Sequence, residues 1–357
     1  MRTYLHSLTL LLGFFFAGTI FGQNTPAFVW TEQEPNATTH RSAVAFSSDA
    51  KFIATGNEED DNVKIWSAEN GTFIRTLFGA NNNATVIAFS PDGQYLATGT
   101  GTAGQGLSLN LWRVADGVRV VGRIPAFTNG TTSVSFSPDS QFLVASGFDS
   151  VEYKVYHVPD MTLIATVPNF DPDRGYNVRI IAVAFSSDGQ FIGVGDNIAL
   201  RLRRATDGTL VRTMNTNAPG TMKTRAVAFS PNGLYVAAGV AVTNLTYGTC
   251  IDCAVKVFRV ADGSLFHIYE NGNNMTFPTV SFSPNSAIIA SAYAHDHDNA
   301  GAVQFWNVAT GNTVQLDARP LFYWDFAYSP LGDTYGFFGG DGLIGVAKAP
   351  SFLRPRR

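Results

Sequence analysis

The chain has 357 residues, of which 45% are hydrophobic and only 15% are charged. A hydrophobic fraction of this size is enough for a large core and excludes wholesale disorder. The 24 Lys and Arg residues against 28 Asp and Glu give a net charge of −4, which argues against a nucleic-acid binder with a strongly basic surface. The 34 glycines and the 13% aromatic content are typical of a turn-rich, all-β protein.

The first 22 residues predict a secretory signal peptide. Arg2 gives them a positive start, and an apolar stretch follows from Leu8 to Phe21. This stretch is shorter than the ~20 apolar residues of a membrane span, and no second stretch of its length follows, so we predict no membrane span. The sequence therefore predicts an exported protein: secreted or extracellular, or periplasmic or at the cell surface if the source is bacterial.

A tetrapeptide that begins with an aromatic residue and Ser recurs along the rest of the chain. Its seven copies begin at Phe46, Phe89, Phe136, Phe185, Phe229, Phe282 and Tyr328. Their spacings are 43, 47, 49, 44, 53 and 46 residues, and a near-constant period of this size is typical of a β-propeller with one blade per copy. Each copy predicts a tight turn, since Pro presets φ and a following Gly permits a positive φ.

Each copy also predicts a unit of four strands. The first strand ends at the aromatic residue and contains an apolar–small pair such as Val44-Ala45, as expected for a strand between neighbouring blades. A second apolar strand follows the turn. A third strand ends in an aromatic residue such as Trp66 and carries a polar residue such as Lys64 on the face opposite its aliphatic side chains. Hairpin signals such as Asn70-Gly71 then lead into a fourth, outer strand.

The FSPDG-like turns and the VKIW-like third strands resemble those of the WD40-repeat family, over essentially the whole chain after residue 22. The resemblance implies an all-β fold: a seven-bladed β-propeller of four-stranded antiparallel blades across residues 23–350. No blade carries the family's Gly-His dipeptide, and Trp66, Trp112 and Trp306 are followed by residues other than Asp. The family's buried hydrogen-bond tetrad is therefore expected to be absent or incomplete.

The two ends of the chain are predicted to meet in one blade. The last copy supplies three strands, ends near Ile344–Ala347 and lacks an outer strand. The segment Ala27–Thr31 has no other partner, so we predict that the N-terminal strand, within residues 23–33, closes the last blade and removes an exposed edge. Residues 351–357, with three arginines, are predicted to form a basic, solvated tail.

Loops of variable length indicate where function resides. In the implied topology, the connections between second and third strands share one face, the top face, with the connections between blades. Variable loops on a rigid scaffold are the usual place for binding. We therefore expect function in the loops Gly99–Gly106, Phe170–Asn177, Ala241–Cys253 and Tyr293–Gly301.

Three polar clusters in these connections are candidate metal sites. His295, Asp296, His297 and Asp298 offer imidazole and carboxylate ligands for Zn²⁺ or Cu²⁺, with a third ligand to come from elsewhere. The acidic run Glu58–Asp61 could hold Ca²⁺ or a basic partner, or form a solvated loop, and its spacing matches no calcium loop. Asp171–Gly175 resembles half a calcium loop and is predicted to be a turn.

The two cysteines, Cys250 and Cys253, lie in the longest loop. In an exported protein this even count favours a local disulfide. A redox motif would open a helix after a strand, and a Cys₄ zinc site would need a second pair, so both are weaker alternatives.

Six Asn-x-Thr sequons are candidate glycosylation sites, and all six fall in predicted loops where a glycan would not disturb a strand. Asn/Thr-rich loops also generate such sequons by chance. The six are Asn36, Asn70, Asn83, Asn129, Asn244 and Asn274.

No nucleophile elbow, HExxH, P-loop or dinucleotide-binding motif occurs in a suitable context, and the first strands carry mainly Ala, Ser, Val and Phe. We therefore predict no enzymatic activity and no cofactor. The expected function is a non-catalytic scaffold that binds a protein or peptide through its top-face loops. Two alternatives stay open: a subunit that self-associates into an extracellular assembly or filament, and a carbohydrate-binding or metal-dependent enzyme at the channel mouth.

Overall fold

The regular structure of the chain is built from β-strands arranged around a central axis. The computed structural model describes residues 26–33, 42–57, 62–79, 84–100, 109–216, 221–243, 250–272, 275–295, 301–319, 323–339 and 342–350. Within these ranges, 30 strands form seven four-stranded antiparallel sheets and one two-stranded hairpin. The predicted seven-bladed propeller is confirmed.

The first four blades follow the chain in order from the innermost to the outermost strand. Blade 1 contains β2 (Ser42–Phe46), β3 (Phe52–Asn57), β4 (Val63–Ser67) and β5 (Phe73–Leu77). Blade 2 contains β6 (Ala84–Phe89), β7 (Tyr95–Thr100), β8 (Leu109–Arg113) and β9 (Arg119–Ile124). Blade 3 contains β10 (Thr131–Phe136), β11 (Phe142–Gly147), β12 (Glu152–His157) and β13 (Leu163–Pro168). The hairpin β14 (Phe170–Asp171) and β15 (Tyr176–Asn177) precedes blade 4, which contains β16 (Ile180–Phe185), β17 (Phe191–Asp196), β18 (Ala199–Arg204) and β19 (Leu210–Asn215).

The remaining blades complete the ring. Blade 5 contains β20 (Thr221–Phe229), β21 (Tyr235–Thr243), β22 (Cys250–Arg259) and β23 (Leu265–Gly272). Blade 6 contains β24 (Met275–Phe282), β25 (Ile288–His295), β26 (Gly301–Asn307) and β27 (Thr313–Arg319). Blade 7 contains β28 (Tyr323–Tyr328), β29 (Thr334–Gly339), β30 (Leu343–Lys348) and, from the other end of the chain, β1 (Phe28–Gln33). Each first strand contacts the first strand of the next blade, including β28 against β2, so the ring is closed.

The strand that closes the ring is the one expected from the sequence. β1 pairs antiparallel with β30, from Phe28 opposite Ala347 to Gln33 opposite Leu343. Trp30 on this strand is buried, and its indole Nε1 donates a hydrogen bond to the Ala68 carbonyl of blade 1 at 2.9 Å. β1 therefore completes blade 7 and also attaches it to blade 1.

The tetrapeptide copies form the turns between first and second strands, and their Ser and Asp side chains explain the motif. In blade 3, the Ser137 hydroxyl donates to Asp139 at 2.5 Å and accepts the Phe142 amide at 2.9 Å. The Asp139 carboxylate also accepts the Gln141 amide at 3.0 Å. Blades 1, 2, 4, 5 and 6 repeat the Ser-to-Asp or Ser-to-Asn bond. These bonds satisfy polar groups that the reversal of the chain would otherwise leave unpaired.

The core lies between adjacent blades. Trp112 on the third strand of blade 2 packs against Val63 and Ile65 of blade 1, and Trp66 packs in the same way on blade 7. Both indole nitrogens also have hydrogen-bond partners. Trp66 donates to the Thr55 hydroxyl at 2.9 Å, and Trp112 donates at 3.0 Å to Thr98, which is the residue of blade 2 that corresponds to Thr55. Each blade is therefore stabilised mainly by its neighbours.

The polar residues of the third strands also bind the preceding blade connection. The Lys154 ammonium donates to the Ala126 carbonyl at 2.6 Å, and the Lys256 ammonium donates to the Thr216 carbonyl at 2.6 Å. In both cases the acceptor belongs to the segment that links the previous blade to this one. The alternating pattern predicted the face of these side chains, but their role as ties between blades comes from the structure.

Candidate functional site at the top of blades 3 and 4

Two neighbouring connections on the top face form a surface between blades 3 and 4. One links β11 to β12, and the other links β13 to β16 through the hairpin β14–β15. The Asn169 amide donates to the Val151 carbonyl at 2.7 Å, and the Ile180 amide donates to the Ser150 carbonyl at 2.7 Å. An ion pair at 2.9 Å between Arg179 and Asp149 joins the same connections. The two segments therefore form one unit.

This unit exposes large apolar and aromatic side chains. Phe148 is 44% exposed, Val151 38%, Phe170 47% and Tyr176 52%. Arg174 is also exposed, and its guanidinium donates to the Tyr176 hydroxyl at 3.2 Å. We call these five residues the 3–4 surface. Exposed aromatic and Arg side chains of this kind are the most frequent energetic centres of protein–protein interfaces.

A buried charge network holds the hairpin in place. Arg201 on β18 is 1% exposed and pairs with Asp171 of the hairpin at 2.8 Å and with Asp196 at 2.7 Å. Asn169 is also buried; it donates to Asp196 at 3.0 Å and accepts from Arg203 at 3.1 Å. A buried pair of this type strongly favours one geometry, because the loss of either partner leaves a charge uncompensated.

The two carboxylate oxygens of Asp171 accept hydrogen bonds from different groups. Oδ2 accepts from Arg201, whereas Oδ1 accepts the backbone amides of Asp173 and Arg174 at 3.0 and 3.3 Å, which fixes the turn of the hairpin. Burial raises the pKa of Asp171, but the charge and hydrogen bond of Arg201 outweigh burial and lower it below the ordinary value. Asp171–Gly175 is a turn, as predicted, and Asp171 is already engaged by protein groups.

The four loops expected to carry function are described to different extents. Phe170–Asn177 is described throughout and contributes three residues to the 3–4 surface. Parts of Gly99–Gly106, Ala241–Cys253 and Tyr293–Gly301 lie outside the described residues, as does the acidic run Glu58–Asp61. Sequence reasoning missed Phe148, Val151 and Arg201. A signal for Arg201 exists, since it occupies the third-strand position at which blades 1, 3 and 5 carry Lys.

The predicted metal site cannot be assembled from described groups. The backbone of His295 ends β25 opposite Met275, while Asp296, His297 and Asp298 lie outside the described residues. Within the ranges that the structure covers, no three His, Cys, Asp or Glu side chains form a group able to hold a metal ion. The metal site at residues 295–298 stays a prediction.

The cysteines lie on β22, at its register shift. Position 253 pairs with Ala241 and position 250 with Thr243, so the two cysteines face residues that are two apart on β21. Cys253 is buried and disulfide-bonded in the structure. The formation of this bond in the isolated protein stays a prediction.

Two of the six sequons fall on described residues. Asn70 is exposed in the turn between β4 and β5, where its side chain accepts the Thr72 amide at 3.0 Å. Asn129 is half-buried in the connection before β10. Asn36, Asn83, Asn244 and Asn274 lie outside the described residues. The predicted signal peptide (1–22) and tail (351–357) lie outside them as well. In the part of the chain that the structure describes, no helix has the length and apolar character of a membrane span.

Comparison with known proteins agrees with this architecture. The family model "WD domain, G-beta repeat" matches residues 34–67, 71–112 and 119–151. A chain of a mitotic checkpoint complex superimposes with a TM-score of 0.72 at 16% identity, covering 98% of this chain and 99% of that one. The β-propeller domain of Cps50 (Swd1) from Myceliophteria thermophila gives 0.70 at 16% identity, covering 87% and 98%. This chain contains WD40 repeats and folds as a seven-bladed β-propeller.

Two curated relatives each match this WD40 propeller over a short stretch. The nuclear distribution protein PAC1 of Coccidioides posadasii is 46% identical over 50 residues, which is 14% of this chain and 10% of that protein. The nuclear distribution protein nudF of Aspergillus terreus is 42% identical over 57 residues, 16% of this chain and 12% of that protein. The matches therefore span about a tenth of the length of these relatives.

The blades of this WD40 propeller differ in how the end of the third strand is bonded. Blades 1 and 2 keep a Trp-to-Thr hydrogen bond between third and second strands. Blade 4 has Arg203 at the position of the tryptophan, and the network around Arg201 and Asp196 fills the space. Burial lowers the pKa of the Arg203 guanidinium from its ordinary value. Blade 4 is thus held by ionic and amide bonds where blades 1 and 2 use an indole.

Proposed function

We propose that this WD40 propeller is a non-catalytic scaffold that binds a protein or peptide partner through the 3–4 surface. WD40 propellers are typically protein-interaction scaffolds and are generally not enzymes, which supports the class of function. The net charge of −4 argues against nucleic acid as the partner.

One observation carries the choice of surface: exposed aromatic side chains stand on a base that buried ion pairs and hydrogen bonds hold in place. Phe170 and Tyr176 are about half exposed although their hairpin is held from below by Arg201 and Asp171. A preorganised loop loses little conformational entropy when it binds, so the burial of its aromatic groups contributes more to affinity. Burial of both rings would contribute about 2–4 kcal/mol to binding.

We also propose that the protein acts outside the cytosol. The support is the apolar segment Leu8–Phe21 after Arg2, together with an even cysteine count. N-terminal sequencing of material collected from the culture medium tests this proposal, because export with processing predicts a mature chain that lacks the first 22 residues or so. Material retained in the cytosol with an intact N-terminus would refute it.

Self-association is the second candidate, and one observation favours it. The outermost strands expose apolar side chains at the rim of the disc, among them Phe73 on β5, Leu163 and Ile164 on β13, and Leu265 on β23. An outermost strand also presents unpaired backbone groups at its edge, which can pair with another chain.

Two matched double variants separate the candidates. F170S/Y176S removes the aromatic groups of the top face, and L163S/I164S removes exposed apolar groups of similar area from the rim. Partners captured from the native extracellular fraction should be lost with F170S/Y176S by at least ~10-fold and retained with L163S/I164S. Sedimentation velocity reports self-association, which should fall only with L163S/I164S. Unchanged capture by F170S/Y176S, with an unchanged melting temperature, would refute the 3–4 surface as the binding site.

A further inference from the structure

The seam between the last and the first blade contains a carboxyl group on an innermost strand. Asp325 Oδ2 accepts the Val44 amide of blade 1 at 3.0 Å, and Oδ1 accepts the Phe326 amide at 2.9 Å. Asp325 is the only acidic residue on the seven described first strands. It thus forms a direct hydrogen bond across the joint at which the ring closes.

At the corresponding joint between blades 3 and 4, a hydroxyl group takes the place of the carboxyl group. Ser133 occupies in β10 the position that Asp325 occupies in β28, three residues before the aromatic residue of the repeat. Its hydroxyl accepts the Val183 amide at 3.1 Å and donates to the Val183 carbonyl at 3.0 Å. Since a neutral group suffices for this bond, the carboxyl at the seam adds a property that the hydroxyl lacks, which is titration.

The surroundings of Asp325 are apolar. The elements packed against β28 are β2, β24, β25, β26 and β29. β2, β24, β26 and β29 contain no charged residue, and the titratable residues of these elements are Tyr335 on β29 and Tyr293 and His295 on β25. Asp317 on β27 accepts the hydroxyl of Tyr335, and Arg225 lies two blades away on β20.

Ionisation of Asp325 is therefore unfavourable in the closed ring. Burial raises the pKa of Asp325 to about 7, and the hydrogen bonds from the Val44 and Phe326 amides offset this effect only in part. By surface area the whole residue is only half-buried, so solvent reaches part of it. Solvent contact moderates the effect of burial, so the full shift is an upper limit.

We propose that Asp325 makes the seam between blades 7 and 1 a pH-sensitive joint, tight when the carboxyl is protonated and loosened when it is ionised. The protonated group keeps a carbonyl oxygen for the Val44 amide and carries no charge to desolvate. The ionised group is better hydrated when the seam opens.

The direction of the effect follows from linkage. The pKa of Asp325 in the closed ring lies above its value of 3.8 in an open or unfolded chain, so the closed state holds a proton that the open state releases. The protonated carboxyl stabilises the closed ring fully below pH 3.8, and this stabilisation is lost as the pH rises to about 7. Above that pH the stability of the ring no longer depends on Asp325 titration. The largest possible change is about 10³-fold in the closing equilibrium, and solvent contact with the residue reduces it.

Hydrogen exchange on the unmodified full chain tests the proposal with an internal control. The Val44 amide is bonded to Asp325, and the Val183 amide is bonded to the non-titrating Ser133. After correction for intrinsic exchange, the ratio of Val44 to Val183 protection should fall at least ~10-fold from pH 4.5 to 7.5. A ratio constant within about twofold overturns the proposal.

Two variants extend the test. Asp325→Ser copies the blade 3 arrangement, so its unfolding equilibrium should lack the ~10-fold or greater loss that the parent shows over the same pH range. Ser133→Asp should transfer the pH dependence to the Val183 amide. Parallel stability profiles of parent and Asp325→Ser overturn the proposal. Should a variant fail to fold, the exchange ratio in the parent still decides.

Discussion

Trp30 joins the first and last blades, and its removal should destabilise the whole ring. Its side chain is only 9% exposed and packs with Trp66 and Ala68 of blade 1 and with Ile344 and Val346 of blade 7. An aromatic ring buries about 150–250 Å², which at ~25 cal/mol/Å² corresponds to about 4–6 kcal/mol as an upper bound. In other proteins, Trp-to-Ala substitutions in the core lower the free energy of unfolding by about 3–5 kcal/mol, which is the same range.

We therefore expect Trp30→Ala to lower the free energy of unfolding by about 4 kcal/mol, including the lost hydrogen bond to Ala68. With a urea dependence of about 3 kcal/mol per molar, the midpoint should fall by about 1 M. Trp30→Phe keeps most of the ring and should lose only about 1–2 kcal/mol.

Val29 provides the matched control on the same strand. It is 40% exposed, so Val29→Thr should change the midpoint by less than about 0.2 M. A Trp30→Ala protein with the urea midpoint of the parent would refute the view that β1 contributes to the cooperative stability of the ring. An equal loss in both variants would show that strand pairing, and not the indole, holds the seam.

Two other predictions concern single blades. Arg201→Met leaves the buried Asp196 carboxylate without its cation and Asp171 with only the more distant Arg174, so it should cost about 3–5 kcal/mol in urea unfolding. Arg204→Met, at an exposed pair, should cost less than about 1 kcal/mol. Similar losses would contradict the buried network. Thr98→Val removes the acceptor of the Trp112 indole and should cost about 1–3 kcal/mol, detectable by tryptophan fluorescence. Thr72→Val, at an exposed position, should have little effect, and a Thr98→Val loss no larger than this would argue against the bond.

The fold could be predicted because its signals are local and repeated. Each aromatic–Ser copy marks one turn, and the seven turns in sequence set the number of blades. The closing strand followed by elimination, since Ala27–Thr31 had no other partner and blade 7 lacked an outer strand. Blade number and closure therefore depended on counting elements and not on the prediction of individual contacts.

Some turns were less predictable than others. Gly93 has the expected positive φ of 72°, but Ser140 and Ser286 adopt φ of 60° and 61° at the equivalent turns of blades 3 and 6. The Ser140 hydroxyl accepts the Asp92 amide of the preceding blade at 3.1 Å, and Ser286 makes the equivalent bond to Asn232 at 3.0 Å. These bonds offset the conformational cost, and they join residues about one repeat apart, which a local pattern does not show.

The candidate site was harder to predict because its partners are distant in sequence. Asp171 and Arg201 are separated by 30 residues, and no local pattern links the two. The sequence indicated the loop Phe170–Asn177 as functional through its length, but it did not show that a short hairpin forms there or that Phe148 lies on the neighbouring connection. Asp325 was missed because the repeat suggested first strands of small and apolar residues.

The pairing of β1 with β30 also constrains how the protein is made. Until β1 arrives, β30 offers the open edge of a three-stranded sheet, and β1 has no other place in the ring. In a concentrated solution of folding chains, that edge can also accept β1 from another copy in place of its own. Two chains that exchange this strand would each complete the seventh blade of the other. The β1–β30 pairing that completes the monomer is therefore also a route to strand-swapped dimers.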